Sequence, residues 1–199
     1  MNRLDQIITE KMPTVMVPAY ENLAEIKTGA TRFLMARNGL YIEAKTSWGH
    51  LLKNLWQSPR PLPYGNVEEV DTFRDVLLKN RMILEDITGM AAEYAREGRE
   101  WAGFIAHTDC GFQYVQVVLD STAAQVKYKM PKLPEGATIA VDIHSHGKTP
   151  PFFSDTDNQD DAGGVQIAVV LGNYRHENGH DAFDAEARYC VEGIHIDVR

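Results

Sequence analysis

The first third of the chain carries two strand-like runs rich in apolar residues, at 31–37 and 40–46. Asn38-Gly39 separates the runs, and an Asn-Gly pair in this position is the strongest short signal for a β-hairpin. The apolar stretch at 48–56 follows, and we interpret it as a short helix.

A proline-rich segment after these elements predicts a boundary between two units. Pro59, Pro61 and Pro63 occur within five positions, and closely spaced prolines make a stiff connector rather than a helix or strand. We therefore expect a small N-terminal α/β unit at residues 1–65, which carries no recognisable chemistry. A second unit is expected at residues 66–199.

The second unit begins with helical periodicity. Apolar residues recur there at spacings of three, four and seven, which is typical of helices that pack one face on a core. These residues are Val70, Phe73, Val76 and Leu77 in a first helix, then Ile83, Leu84, Ile87, Met90, Ala91 and Tyr94 in a second. Strand-like runs follow at 101–106, 112–118, 123–129 and 165–172. This order indicates a domain of the α+β or α/β class.

The most informative stretch is a buried strand that ends in two histidines. Residues 137–143 are small or β-branched and precede His144-Ser145-His146. Side chains at i and i+2 of a strand point to one face, so the two imidazoles should lie side by side. Ser154 then opens a Ser-x-x-Asp pattern that is typical of a helix N-terminus. In the first turn of that helix, Asp157 could reach back toward the histidines.

Two imidazoles and one carboxylate, with a fourth position left for water, make a catalytic zinc site rather than a structural one. Each half of the pattern also has a plainer explanation. A His-x-His pair can be the polar end of a strand, and Ser154 with Asp157 can simply cap a helix. The combination favours a metal site, because no other short spacing in the sequence gives a similar trio.

A second zinc-protease pattern, H-E-x-x-H, is present from His176 to His180. Its chemistry requires both histidines on one face of a helix. Asn178-Gly179 between strand-like runs at 167–174 and 182–191 instead predicts a hairpin turn. We therefore interpret this segment as a polar loop. The remaining histidines, which have no partner by spacing and are assigned no role, are His50, His107 and His195.

Composition is ordinary for a soluble globular protein, with 44% apolar and 24% charged residues. The formal net charge of −8 argues against a nucleic-acid groove and against binding to anionic membranes. Cys110 and Cys190 are expected to be buried and unpaired, which suits a reducing cytoplasm. The N-terminus has no apolar signal segment, so we expect a cytoplasmic protein.

The histidine stretch resembles the JAMM motif of the MPN (JAB) family of zinc metalloproteases. The resemblance is carried by His144-Ser145-His146, Ser154 and Asp157 at the family's spacing. At Gly147 and Phe153 the chain departs from the family, whose members usually have proline there. The resemblance implies an MPN fold, similar to cytidine deaminases, with a mixed sheet flanked by helices. It also implies Zn²⁺ bound by His144, His146 and Asp157.

The same resemblance implies a catalytic base. The segment that begins Glu100-Trp101-Ala102-Gly103 is similar to the family's Glu-x-x-Gly strand, whose glutamate has that role. On pattern alone, a glutamate beside a helix end is usually solvated; Glu97 is the alternative and Glu93 a more remote one. Glu100 would move a proton from water to the leaving amine, and Ser154 would donate a hydrogen bond to the oxyanion.

Family members with an intact motif cut after the C-terminal glycine of ubiquitin or ubiquitin-like proteins. The resemblance therefore implies a zinc-dependent isopeptidase with a ubiquitin-like substrate. More narrowly, the chain is similar to JAB-like proteins of the bacterial PRTRC cassette, which accompany ThiF-like and ubiquitin-like proteins. Two other functions stay open, a zinc amidase acting on a small metabolite and a non-catalytic MPN scaffold that binds partners. The oligomeric state also stays open.

Overall fold

The structure, a computed structural model, describes residues 2–115, 117–121, 126–129 and 133–198, with the backbone alone at 118–121 and 126–129. The chain divides into two compact units, Met1–Val76 and Leu77–Arg199. In chain order, the elements are α1 (Arg3–Lys11), β1 (Thr14–Met16), β2 (Ala30–Ala36), β3 (Gly39–Lys45), β4 (His50–Gln57), β5 (Val70–Asp71), α2 (Phe73–Lys79), α3 (Arg81–Arg96), β6 (Trp101–Thr108), β7 (Gly111–Val115), β8 (Val118–Ser121), β9 (Val126–Lys129), β10 (Thr138–Ser145), α4 (Asp155–Asp160), β11 (Val165–Glu177), β12 (His180–Val191) and β13 (Ile194–Asp197).

The first unit is built on a sheet with the strand order β1-β2-β3-β4-β5. The predicted hairpin is present as the antiparallel pair β2 and β3, in which Ala36 lies opposite Gly39. Its turn is therefore Arg37-Asn38 rather than Asn38-Gly39. Gly39 is required for a different reason, because a Cβ there would lie 1.9 Å from the carbonyl oxygen of Trp56.

The prediction of a helix at 48–56 is wrong, because most of this segment lies in strand β4, His50–Gln57. It pairs antiparallel with β3 along most of its length and with β5 at its start. Leu51 and Leu52 are buried in the sheet. A short apolar run fits a buried helix or a buried strand equally well by pattern, so the neighbouring strands decide its structure.

The second unit contains a mixed sheet with the strand order β13-β12-β11-β10-β6-β7. Strand β10 lies inside this sheet, antiparallel to β6 and parallel to β11. A parallel connection must leave the sheet and cross over, and here the crossover contains α4. Helix α3 packs against β6 and β12 and buries Ile87 and three alanines. At this level the predicted mixed sheet with helices is confirmed.

The boundaries of several predicted elements need correction. Val70 lies in strand β5, so the helix predicted to include it, α2, begins only at Phe73. Strand β11 continues past the predicted end at Gly172 as far as Glu177. Of the strand predicted at 123–129, residues 126–129 form β9, and the rest lies outside the described residues, as does Gln116.

The H-E-x-x-H segment forms a hairpin turn, as predicted. Strand β11 ends at Glu177 and β12 begins at His180, and these two residues pair across the turn. Asn178 and Gly179 have φ angles of 52° and 81°, the left-handed values that such two-residue turns require. Because the segment is not helical, its histidines do not have the arrangement of the helical zinc motif.

The two cysteines lie in different surroundings. Cys190 is buried on β12, as predicted, but Cys110 is exposed beside β7, so its predicted burial is wrong. Burial, reinforced by the negative charge of Asp161, raises the pKa of the Cys190 thiol to about 12. Only a thiolate is strongly nucleophilic. Cys190 should therefore resist thiol reagents, both because it is inaccessible and because its thiol stays protonated.

A thiol reagent is therefore expected to modify Cys110 in the folded protein and Cys190 only after unfolding. With a pKa of about 12, only a very small fraction of the Cys190 side chains is ionised at neutral pH. The Cys110→Ser variant, treated with Ellman's reagent, tests this. No thiol should react rapidly in the native variant, and one thiol per chain should react in denaturant. A fast thiol in the native variant would contradict the expectation.

Candidate metal centre

The two histidines lie at the end of β10 and project from the same side of it. Ile143 and Ser145 are buried, and His144 and His146 alternate with them along the chain. The ring centroids of His144 and His146 are 5.1 Å apart. The side-by-side arrangement that the i, i+2 spacing predicts is therefore present.

Asp157 approaches the histidines from the first turn of α4. Its N–H donates to Ser154 Oγ at 3.3 Å, and its own Oδ2 accepts the Ser154 N–H at 2.6 Å. This reciprocal arrangement is a capping box. The other oxygen, Oδ1, lies 3.5 Å from Nε2 of His144. One carboxylate oxygen thus fixes the helix start, while the other faces the histidines.

Three potential ligand atoms converge at this point. One from each of His144, His146 and Asp157 lies within 4.8 Å of the other two. Ligands at about 2.0–2.2 Å from a tetrahedral zinc ion are separated by about 3.3–3.6 Å, so small side-chain adjustments bring this set around one ion. Among the described residues, Nε2 of His144 is buried and makes no hydrogen bond. Such an atom is costly unless a ligand pairs with it.

The protonation states suit a bound cation. Burial lowers the pKa of His144, and His146 adds to that effect, although the charge of Asp157 opposes it. For Asp157, burial alone would raise the pKa, but the Ser154 hydrogen bonds and the nearby histidines outweigh burial and lower it. A neutral imidazole and an ionised carboxylate are the forms that bind zinc.

Glu100 lies immediately before β6, on the strand that neighbours β10. In the β6–β10 ladder, Trp101 pairs with Ser145, and Glu100 and His146 each lie one residue beyond that last pair. Side chains alternate along a strand, so continuing this register by one residue predicts that Glu100 lies on the face of His144 and His146. The Trp101 N–H donates to Ser145 Oγ at 3.1 Å and thereby holds the two strand ends together.

The alternative bases lie elsewhere. Glu97 is the C-cap residue of α3, is exposed, and accepts a hydrogen bond from Arg99. Glu93 is exposed one turn earlier on the same helix. Neither directly precedes β6, so the position of Glu100 at the start of that strand favours it as the carboxylate beside the histidines.

Main-chain contacts hold the loop after β10 against β11. Thr149 and Gly147 accept hydrogen bonds through their carbonyl oxygens, from the N–H groups of Asn173 at 2.7 Å and Tyr174 at 2.9 Å. Gly172 allows this approach, because a Cβ there would lie 2.5 Å from the carbonyl oxygen of Thr149. Gly147 itself has a φ of 58°, which proline cannot adopt. The departure from the family pattern at 147 therefore reflects a different backbone.

The two phenylalanines before Ser154 have different surroundings. Phe152 is 51% exposed, and its ring packs edge-on against His146 with centroids 4.6 Å apart. The ring of Phe153 instead lies 3.8 Å from the guanidinium carbon of Arg188 on β12. Arg188 was not predicted from the sequence, because no local pattern marks it.

A second group of ligand-type side chains converges nearby, formed by Asp161, Cys190 and His195. Both oxygens of Asp161 are already engaged, Oδ1 by Gln166 at 2.8 Å and Oδ2 by Arg188 at 2.6 Å. A metal cation here would lie close to the Arg188 guanidinium and would be repelled by it. We therefore interpret these three side chains as part of the contact between α4 and the sheet, and not as a metal site.

Two stretches of the chain match known families. Residues 87–186 match the family described as prokaryotic homologs of the JAB domain, and this stretch includes all five predicted site residues. Residues 2–74 match a domain of unknown function, DUF2016. No curated protein matches the chain. Within the described ranges, no helix is long and apolar enough to cross a membrane.

Proposed function

The chain belongs to the prokaryotic homologs of the JAB domain, and on this basis we propose that it is a zinc-dependent peptidase. Its substrate is a ubiquitin-like protein, cleaved at the amide bond after the C-terminal glycine. The proposal depends most on the buried Nε2 of His144, which makes no hydrogen bond within the described part of the chain and lies in a cluster of three ligand atoms. That arrangement costs free energy without a cation and suits one with mixed nitrogen and oxygen ligands.

Each side chain of the site has a distinct role in this proposal. A zinc ion held by His144, His146 and Asp157 would lower the pKa of water to about 7 and polarise the substrate carbonyl. Glu100 takes the proton of the attacking water and returns it to the leaving amine. Ser154 Oγ accepts the Asp157 N–H, so its hydroxyl hydrogen remains available to donate to the oxyanion.

The hydroxyl groups of the motif support direct attack by water rather than a covalent intermediate. Ser145 is fully buried, and its Oγ accepts the Trp101 N–H. Ser154 caps α4. Among the described residues, neither serine hydroxyl bonds to a histidine, as a serine nucleophile would to its activating base.

An exposed aromatic ring borders the site and supports a peptide substrate. Phe152 is half-exposed and contacts His146, so one side of the ring is open beside the proposed ligands. An extended, glycine-rich tail can approach such a surface closely because glycine has no side chain. The tail of a ubiquitin-like protein meets this description, and a ThiF-like protein that activates the same tail stays a predicted partner.

A hydrolysis assay with matched substrates tests the proposal. Zinc-loaded protein is expected to cleave a ubiquitin-like fusion after its C-terminal glycine and to leave the same fusion intact when proline follows that glycine. Small N-acyl amino acids are assayed in parallel. Cleavage of only the small compounds would replace the proposal with a metabolite amidase. Stoichiometric zinc binding without hydrolysis of either class would favour the non-catalytic scaffold.

A further inference from the structure

We propose that Arg188 on β12 positions Asp157 by clamping α4 and the residue before its N-cap against the sheet. Arg188 does not belong to the ligand cluster, so it acts through the segment that carries a ligand. This inference rests on the metal site proposed above. It names a positioning residue that lies 31 positions after Asp157 in the sequence.

Helix α4 cannot hold its own position. It has six residues, and none of them is buried. A helix this short is not stable in isolation, and without a buried apolar face it gains little from hydrophobic packing. The capping box fixes the first turn internally, but it does not attach the helix to the sheet. Other contacts must therefore fix the distance between Asp157 and the histidines.

Arg188 supplies three such contacts along this segment. Its Nη1 donates to Asn158 Oδ1 at 2.6 Å, and its Nη2 donates to Asp161 Oδ2 at 2.6 Å. Its guanidinium also lies over the Phe153 ring, 3.8 Å from the centroid. The three contacts fall before, within and after the helix, so they bracket Asp157 on both sides.

The clamp is anchored in the sheet and shielded from water. Arg188 pairs with Ala168 on β11 and with Asp197 on β13, so strands on both sides fix its backbone. Arg188 is 5% exposed and Asp161 is 4% exposed. Charge-assisted hydrogen bonds are short and directional, and guanidinium binding in a fixed fork restricts the orientation of both partners.

The cost of this arrangement suggests a geometric role rather than a stabilising one. Burying an ion pair removes both charges from water, and similar apolar residues often stabilise a fold equally well. Within the described residues, Nε of Arg188 is also buried without a hydrogen bond. The guanidinium therefore contributes specificity, here the placement of α4. Phe153, at the position where family members usually have proline, provides the flat surface that this contact needs.

The test measures zinc affinity by competition with a chromogenic chelator, using the full chain. Arg188→Met is expected to weaken zinc binding by about 10–100-fold, as for other groups that orient a metal ligand. Asn158→Ala removes one contact without leaving a buried charge and should weaken binding less, about several-fold. Arg188→Lys keeps the charge but cannot form the fork, so it should recover only part of the affinity.

Arg32→Met is a matched control. Arg32 is also buried, at 8% exposed, and pairs with the buried Glu43, but it lies in the first unit. It should lower the thermal unfolding temperature and leave zinc affinity unchanged. Wild-type affinity in both Arg188→Met and Asn158→Ala would overturn the clamp and leave the zinc site intact. If Arg32→Met lost as much zinc affinity as Arg188→Met, the effect would be one of general stability, and the clamp would also be overturned. A wild-type chain that binds no zinc would overturn both the clamp and the proposed metal site.

Discussion

Replacing His144 with alanine is expected to reduce bound zinc from about one ion per chain to none that metal analysis detects after dialysis. The Nε2 atom of His144 is buried, makes no hydrogen bond among the described residues, and lies 3.5 Å from Asp157 Oδ1. Without it, only two protein ligands remain, which is fewer than the three of known catalytic zinc sites. Hydrolysis should fall to background, while circular dichroism reports a folded chain.

His176→Ala is the matched control for this substitution. His176 belongs to the H-E-x-x-H segment, is exposed, and bonds through Nδ1 to Asp181 at 2.8 Å. Because that segment is a hairpin turn, the variant should keep its zinc and its activity. The reverse result, with zinc lost from His176→Ala and kept in His144→Ala, would assign the metal to the hairpin and end the present proposal.

Replacing Glu100 with glutamine is expected to lower kcat by about 10²–10⁴ while the zinc content stays unchanged. Glutamine has nearly the same size as glutamate and can still form hydrogen bonds, but it cannot accept a proton from water at neutral pH. Extending the β6–β10 register predicts that Glu100 lies on the face of the histidines, and Glu100 is not in the ligand cluster. This variant should therefore lose turnover and keep its bound zinc.

Glu97→Gln provides the comparison, because Glu97 is an exposed C-cap residue that bonds to Arg99. Its kcat should remain within about twofold of wild type, the change expected when a solvated surface group is removed. A large loss in Glu97→Gln together with full activity in Glu100→Gln would move the base to α3. Loss of zinc from Glu100→Gln would instead indicate that this carboxylate supports the metal.

The arrangement of the candidate site could be predicted largely because its parts are local. The i, i+2 spacing of His144 and His146 places both rings on one side of any strand. The Ser154 and Asp157 spacing produces a capping box in any helix that starts there, and the structure contains it. The Asn178-Gly179 turn follows from the same kind of short-range rule. The role of Glu100 stays a prediction.

Elements whose structure depends on distant neighbours were harder to predict. Residues 48–56 form a strand because β3 and β5 pair with that segment, which no local pattern reveals. Cys110 is exposed although cysteine is usually buried, because it falls in the turn after β6. The close approach of the 147–151 loop to Gly172 likewise depends on the parallel pairing of β10 with β11.

Which groups can form a metal centre follows from short stretches of sequence, because dihedral preferences and short spacings set how the side chains of one strand and one helix cap point. The meeting of that strand and that helix, and the contacts that hold them together, depend on parts of the chain that are distant in sequence. Arg188 contacts Asn158 and Asp161 from 30 and 27 positions away. Such contacts depend on the pairing of whole strands, and the energy of that pairing does not appear in any short segment.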